Sequence, residues 1–145
     1  MRIAIGSDHG GVNHKAYIEE YLTKNGHEYV DFGTNSGESV DYPDIAEVVA
    51  KAVLKDDFDC GILICGTGIG MSIAANKVRG IRAAHVTDTY SAKMAKQHND
   101  AHIICLGERI TGPDLAIDIV DAYLKEGHLG DRHARRVEKI MALEK

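Results

Sequence analysis

The sequence has no tryptophan, only two prolines and two phenylalanines, and three cysteines among 145 residues. Each shortage excludes something. With so little proline and no compositionally biased tract, nothing marks a linker, and residues 1–145 are expected to form a single domain that buries roughly two thirds of its unfolded surface. Cys60, Cys65 and Cys105 cannot all pair, and none has the C-x-x-C spacing of a zinc or redox site, so free thiols are expected. Positive charge is also short, with 17 Lys and Arg against 22 Asp and Glu and a net charge of -5. A nucleic-acid binder needs the opposite balance along one face, so any phosphate recognised here must be met locally. No apolar run reaches the length of a membrane span. Met1 leads straight into Ile3-Ala4-Ile5 without the segments of a signal peptide. The expectation is a cytoplasmic chain with no nucleic-acid and no membrane partner.

What is present is alternation. Short β-branched runs at 2–6, 27–32, 59–65, 81–86 and 101–106 read as five strands, several apolar on both faces as buried parallel strands are. Between them lie helical patterns, which makes βαβ units on a parallel α/β sheet. Ile45, Val48, Val49, Ala52 and Val53 form a stripe expected to face the sheet after a start at Pro43. Ala116, Ile119, Val120, Tyr123 and Leu124 form another between Pro113 and Gly127. Helices are expected also at 11–24, 68–77 and 89–97. A last helix over 131–145 has a narrow apolar side, Val137, Ile140 and Met141, suited to a partner subunit. Ligands of such sheets bind beyond the carboxyl ends of the strands.

Four constellations carry chemistry. Ser7-Asp8-His9-Gly10-Gly11 follows the first strand and puts a carboxylate and an imidazole in one tight loop, although Asp8 could simply cap the next helix. In Cys65-Gly66-Thr67-Gly68-Ile69-Gly70 a buried strand ends in a thiol and turns through three glycines into a helix. Such a turn gathers backbone N–H groups at one point, a site for a phosphate or a developing oxyanion, and the same field favours a thiolate. A buried cysteine that only fills space is the structural alternative. The turn is not a dinucleotide fingerprint, because Met71 stands where the third glycine of G-x-G-x-x-G belongs, and Asp88 alone does not repair that. His98-Asn99-Asp100-Ala101-His102 has i, i+4 histidines, but the helix breaks at Asn99, so a loop histidine for acid-base work is favoured over a metal pair. Arg132 and Arg136, one turn apart beside His133 and Arg135, form a double fork suited to a phosphate dianion, or a solvated patch. Arg109 adds a third cation.

Over nearly its whole length the chain resembles the B-type ribose-5-phosphate isomerases and the related galactose-6-phosphate isomerase subunits. The resemblance rests on Ser7 to Gly11, on Asp41-Tyr42-Pro43-Asp44, on Cys65 to Lys77, on Asp88-Thr89-Tyr90 with His98-Asn99-Asp100, and on Arg132-His133 with Arg135-Arg136-Val137. It implies a three-layer αβα sandwich with a Rossmann-like five-stranded parallel sheet, and a dimer or tetramer with sites at the subunit interface. It implies an aldose-ketose isomerase of the pentose phosphate pathway, working through a cis-enediolate with no cofactor and no metal. Cys65 matches the base, Thr67 a hydroxyl that assists it, and His98 the residue that opens the furanose ring. The N–H groups of Gly66, Thr67, Gly68, Ile69 and Gly70 would surround the enediolate oxygen. Asp8, Tyr42 and Asn99 would line the sugar, and His9, Arg109, Arg132 and Arg136 would hold the phosphate, some from a second subunit. Arg79 and His85-Val86-Thr87 depart from the family pattern, which bears on substrate preference and stability. Allose 6-phosphate and galactose 6-phosphate are alternative substrates, and the alternatives from other classes are a nucleotide-binding regulatory module and a thiol hydrolase using Cys65 with a histidine.

Overall fold

The computed structural model describes residues 1–55 and 57–144. The strands are β1 (Arg2–Ser7), β2 (Glu28–Asp31), β3 (Cys60–Cys65), β4 (Ala83–His85) and β5 (Ile103–Gly107). The helices are α1 (Val12–Lys24), α2 (Tyr42–Leu54), α3 (Ile69–Asn76), α4 (Thr89–Gln97), α5 (Pro113–Leu124) and α6 (Asp131–Met141). All strand pairs are parallel, in the order β2-β1-β3-β5-β4. Every expected element is present, but β4 keeps three residues of the expected 81–86 and α6 ends at Met141.

β3 reads Cys-Gly-Ile-Leu-Ile-Cys and is buried at every position, because it is the central strand with helices on both faces. Alternate side chains go to two cores. Ile3, Ile5, Ile62, Ile64, Ile104 and Leu106 meet α1, α4 and α5 through Ile18, Leu22, Ala92, Ala95, Ile119, Val120 and Tyr123. Ala4, Leu63, Cys65, Ile103 and Cys105 meet α2 and α3 through Ala46, Val49, Ala50, Val53, Met71 and Ala75. Each large aliphatic removed from water contributes roughly 1.5–3 kcal/mol, so these two layers are what hold the sandwich together.

The α5 stripe is buried as expected, and Ile45, Val49 and Val53 of the α2 stripe pack into the core, but the rest of that stripe is displaced. Ala46, Val49, Ala50 and Val53 face the sheet, while Val48 is 46 % exposed. Alanines carry little weight in a search for large apolar residues, yet here they let α2 lie close over the strand glycines. A Cβ at Gly61 would stand 3.1 Å from Val53 Cγ2 and 3.2 Å from Val49 Cγ1.

β1 and β3 are neighbours whose outgoing connections leave to opposite sides of the sheet, β1 to β2 and β3 to β4. That arrangement opens a crevice at their carboxyl ends. At the other end, α6 is tied back by Leu129 N–H to the Gln97 carbonyl at 3.0 Å and by Gly80 N–H to the Glu144 carboxylate at 3.0 Å. Arg79 donates to the Glu144 carbonyl at 3.2 Å. On the outer edge of β4, the Asn76 amide donates to the Ala83 carbonyl and accepts from the Ala83 N–H, both at 2.9 Å. Among the described residues, no helix is long and apolar enough to cross a membrane.

Candidate active site

The crevice after β1 and β3 is a cleft of about 400 Å3 lined by Asp8, Tyr42, Cys65, Gly66, Thr67, Ile69, Gly70, Ile73 and Arg109. Its floor is the turn between β3 and α3. Cys65 is the last residue of β3, and its Sγ accepts a hydrogen bond from Gly68 N–H at 3.0 Å. Gly68 has φ +82, the left-handed region, and a Cβ there would stand 2.8 Å from the Leu106 carbonyl carbon. Only glycine fits that turn. Thr67 is exposed, and its Oγ1 accepts from Ile69 N–H at 3.2 Å.

Three elements complete the walls. After β5, Glu108 N–H and Arg109 N–H donate to the Cys65 and Gly66 carbonyls at 2.9 and 3.0 Å, so the strand pairing continues into the loop. This sets the Arg109 guanidinium against Gly66, where a Cβ would be 3.0 Å from Nη1. Asp8 is 7 % exposed and its Oδ1 accepts from Gly10 N–H at 2.8 Å, so it caps the short turn His9–Gly11 and still lines the cleft. Tyr42 opens α2 with its ring over Gly70. The loop that carries Tyr42 is held by His9 Nδ1, which accepts from Val40 N–H at 3.2 Å. At the loop's base the buried Lys15 donates to Asp31 at 2.5 Å and to Asn35 at 2.6 Å. Beside them the Glu19 carboxyl is pushed up to about 7, by burial first and then by its hydrogen bond and charge interaction with Asp31.

The remaining expected residues lie elsewhere. α4 runs back from the carboxyl to the amino end of the sheet, so His98 and Asn99, which follow it and precede β5, sit at the amino end. α6 starts there too, because α5 has also run back. β3 between the two ends spans about 17 Å for its six residues. The His98 ring stacks on His133 with centroids 4.1 Å apart and planes 7° apart. His133 is held below the ordinary imidazole range by desolvation and by the positive charges of His98, Arg132 and Arg136 around it. Arg132 and Arg136 are exposed on α6 beside this stack. One chain therefore presents two separate groups: Asp8, His9, Tyr42, Thr67, Cys65 and Arg109 at one end, and His98, Asn99, Arg132 and Arg136 at the other.

Some outcomes depart from the sequence reading. Of the turn's donors, Gly68 N–H serves Cys65 and Ile69 N–H serves Thr67, so these two are already engaged. Gly68 itself lies beneath the turn, outside the cleft lining. Ile73 is a lining residue the sequence reading missed; a 58 % exposed isoleucine one turn after Ile69 was its signal, legible only once the helix face is known. Asp88 caps α4 through Ser91 N–H at 2.7 Å, a structural role. Among the described residues there is no group of three or more His, Cys, Asp or Glu side chains able to hold a metal ion.

A thiol over a glycine turn, with a carboxylate and a guanidinium in the same cleft, suits proton transfer on a small anionic polyol. Known proteins agree with that chemistry. The family described as Ribose/Galactose Isomerase matches residues 3–140. Ribose-5-phosphate isomerase B of Escherichia coli is 49 % identical over 143 residues, covering 99 % of this chain and 96 % of that one. The solved structure of ribose-5-phosphate isomerase B from Clostridium thermocellum is 58 % identical, with a TM-score of 0.97 over 99 % of this chain and 97 % of that one. The Mycoplasma genitalium enzyme, solved with bound ribulose-5-phosphate, is 44 % identical with a TM-score of 0.93, covering 99 % of this chain and 95 % of that chain. Matched over residues 3–140 by that family and over 99 % of its length by such relatives, this chain belongs to the ribose/galactose isomerase family.

Proposed function

We propose that this chain is an aldose-ketose isomerase that interconverts ribose 5-phosphate and ribulose 5-phosphate, with Cys65 as the base. The observation that carries the reading is the Cys65 sulfur on the cleft floor with Gly68 N–H directed at it. A donor on sulfur favours the thiolate. In the forward direction the thiolate takes the proton from C2 of the open-chain aldose. The C2–H electron pair becomes the C1=C2 bond, and the carbonyl pair moves onto O1. Thr67 assists the transfer between O2 and O1, the proton returns to C1, and the C2 ketone results. N–H groups of the turn other than those of Gly68 and Ile69 face the enediolate oxygen, Asp8 and Tyr42 orient the sugar, and Arg109 meets the phosphate.

His98 opens the furanose ring, Asn99 contacts the sugar, and Arg132 and Arg136 bind the phosphate together with His9. In one chain His98, Asn99, Arg132 and Arg136 stand a strand's length from Cys65 and His9, so the working unit is a dimer in which each site takes those four from the partner. The exposed apolar rim of the cleft, Ile69 and Ile73, supports a covering subunit. A cytoplasmic location belongs to the same reading, supported by three free, buried cysteines.

Subunit mixing tests this. Assayed at ribose 5-phosphate near the parental KM, Cys65→Ala and the double variant Arg132→Ala with Arg136→Ala should each be nearly inactive. Unfolded and refolded together at equal amounts, they should regain about a quarter of parental activity, because half the dimers are mixed and each mixed dimer has one intact site. A mixture no more active than its parts would show that each site is built from one chain.

A further inference from the structure

His85 closes β4 at the edge of the sheet and is half-buried. Its Nε2 lies 2.9 Å from the Thr67 carbonyl oxygen. A carbonyl can only accept, so Nε2 carries the proton. The Thr67 carbonyl and the Gly68 N–H belong to one peptide unit, which is planar and conjugated. That same N–H is the donor to Cys65 Sγ at 3.0 Å. Imidazole, peptide and sulfur thus form two hydrogen bonds in series through a single amide.

We infer that His85 is a positioning residue that sets the reactivity of the Cys65 thiol through the Thr67–Gly68 peptide. Two effects add. An N–H on the carbonyl oxygen draws density toward it and makes the amide N–H a better donor, the cooperative strengthening seen along hydrogen-bonded chains. A better donor favours thiolate over thiol. The second effect is orientation. A peptide that leads into glycine can turn over at small cost, which would carry its N–H away from the sulfur. His85 blocks this by bonding the carbonyl and by filling the space over the turn, since a Cβ on Gly68 would stand 2.9 Å from His85 Cδ2. The other ionisable groups at the thiol come from separate elements: Asp8 after β1, Tyr42 on α2, Arg109 after β5, and Cys105 within β5 behind it. None of these bonds the Thr67–Gly68 peptide in the hydrogen-bond network of the described residues, so a His85 variant changes this peptide's anchoring and leaves those groups in place.

The effect on turnover rests on Cys65 being the base; the effect on the thiol does not. The decisive measurement is the pH dependence of Cys65 alkylation by iodoacetamide, followed by mass spectrometry, in the parent, His85→Leu, His85→Asn and His85→Gln. Leucine has no donor, and the asparagine amide falls short of the Nε2 position. Glutamine places an N–H near it. In the Leu and Asn variants the Cys65 titration should move to higher pH and the alkylation rate at neutral pH should fall about threefold to tenfold. Gln should restore both. The kcat for ribose 5-phosphate should fall about threefold to thirtyfold in Leu and Asn, less than for loss of a whole catalytic donor, with KM within about twofold. A parental titration of Cys65 in both Leu and Asn overturns the proposal, and Asn serves alone if Leu does not fold. A shifted titration with unchanged kcat upholds the peptide coupling and instead sinks the reading of Cys65 as base.

Discussion

The two ends of the sheet are built in contrasting ways. At the carboxyl end the functional groups are sunk in a cleft, and nearly every one is fixed by a backbone hydrogen bond: Cys65 by Gly68, Thr67 by Ile69, Asp8 by Gly10, and the start of the Arg109 loop by the Cys65 and Gly66 carbonyls. At the amino end Arg132 and Arg136 are exposed on a helix, beside the ring stack of His98 on His133. Rigid backbone suits a step in which a proton moves between adjacent carbons, because small displacements there are costly. Exposed guanidinium forks suit an anion at the far end of a flexible substrate. On this reading one chain makes a reacting half and a gripping half, and association joins them.

The largest break in that contrast should come from Cys65→Ala. It should lower kcat by at least ~10²-fold, the low end for general-base catalysis, and leave sugar-phosphate affinity near the parental value in calorimetric titration. A near-parental kcat would move the proton transfer to another group, with Asp8 the first to examine. Arg132→Ala and Arg136→Ala should each cost about tenfold to a hundredfold in affinity, the worth of a charge-assisted contact, with kcat changed less. Unchanged binding in both would reduce the gripping half to a solvated patch. His98→Ala should slow turnover of the cyclic sugar more than that of an obligately open-chain substrate, and equal losses would reassign it.

A smaller effect should sharpen the contrast through pH. The folded chain holds His133 below its ordinary value near 6.5, so the unfolded chain binds the proton more readily. The contribution of the neutral ring is present above about pH 6.5 and is lost as pH falls through the lowered value. His133→Phe keeps a flat ring on His98 and should weaken the acid-side loss of stability in denaturant titrations at pH 7.5 and 5.5. It should not abolish it, since burial lowers His27 and His102 as well. An unchanged slope would mean the stack carries no proton linkage. The smallest effect expected is none: activity should survive exhaustive chelation, because backbone donors serve the developing charge. Activity lost to a chelator and restored by one divalent ion would refute that.

The strands were legible because buried parallel strands need apolar residues on both faces, as β3 has them. The cleft was legible at Ser7 to Gly11 and at Cys65 to Gly70, since a thiol or carboxylate beside clustered glycines has few structural uses. The α2 face was misread because Ala46 and Ala50 bury little surface and so carry little weight in an apolar pattern, while Gly6 and Gly61 make the room for Ile45, Val49 and Val53. Ile73 and His85 were not legible as neighbours of the site. Their roles depend on which helix face meets the cleft and on β4 lying beside β5, and strand order is a long-range property that no local spacing encodes. The separation of His98 and Arg132 from Cys65 is of the same kind, since it follows from the directions in which α4 and α5 run.

Asn76 has a consequence for the protein in concentrated solution. An open sheet edge is a template on which further chains can add strand by strand, the route to fibres. Here a side-chain amide occupies both bonding groups of Ala83, the first residue of β4 that a sixth strand would need. Copies of this chain that meet along β4 find that bonding pair already closed. Growth by extension from β4 is thus disfavoured at its first step.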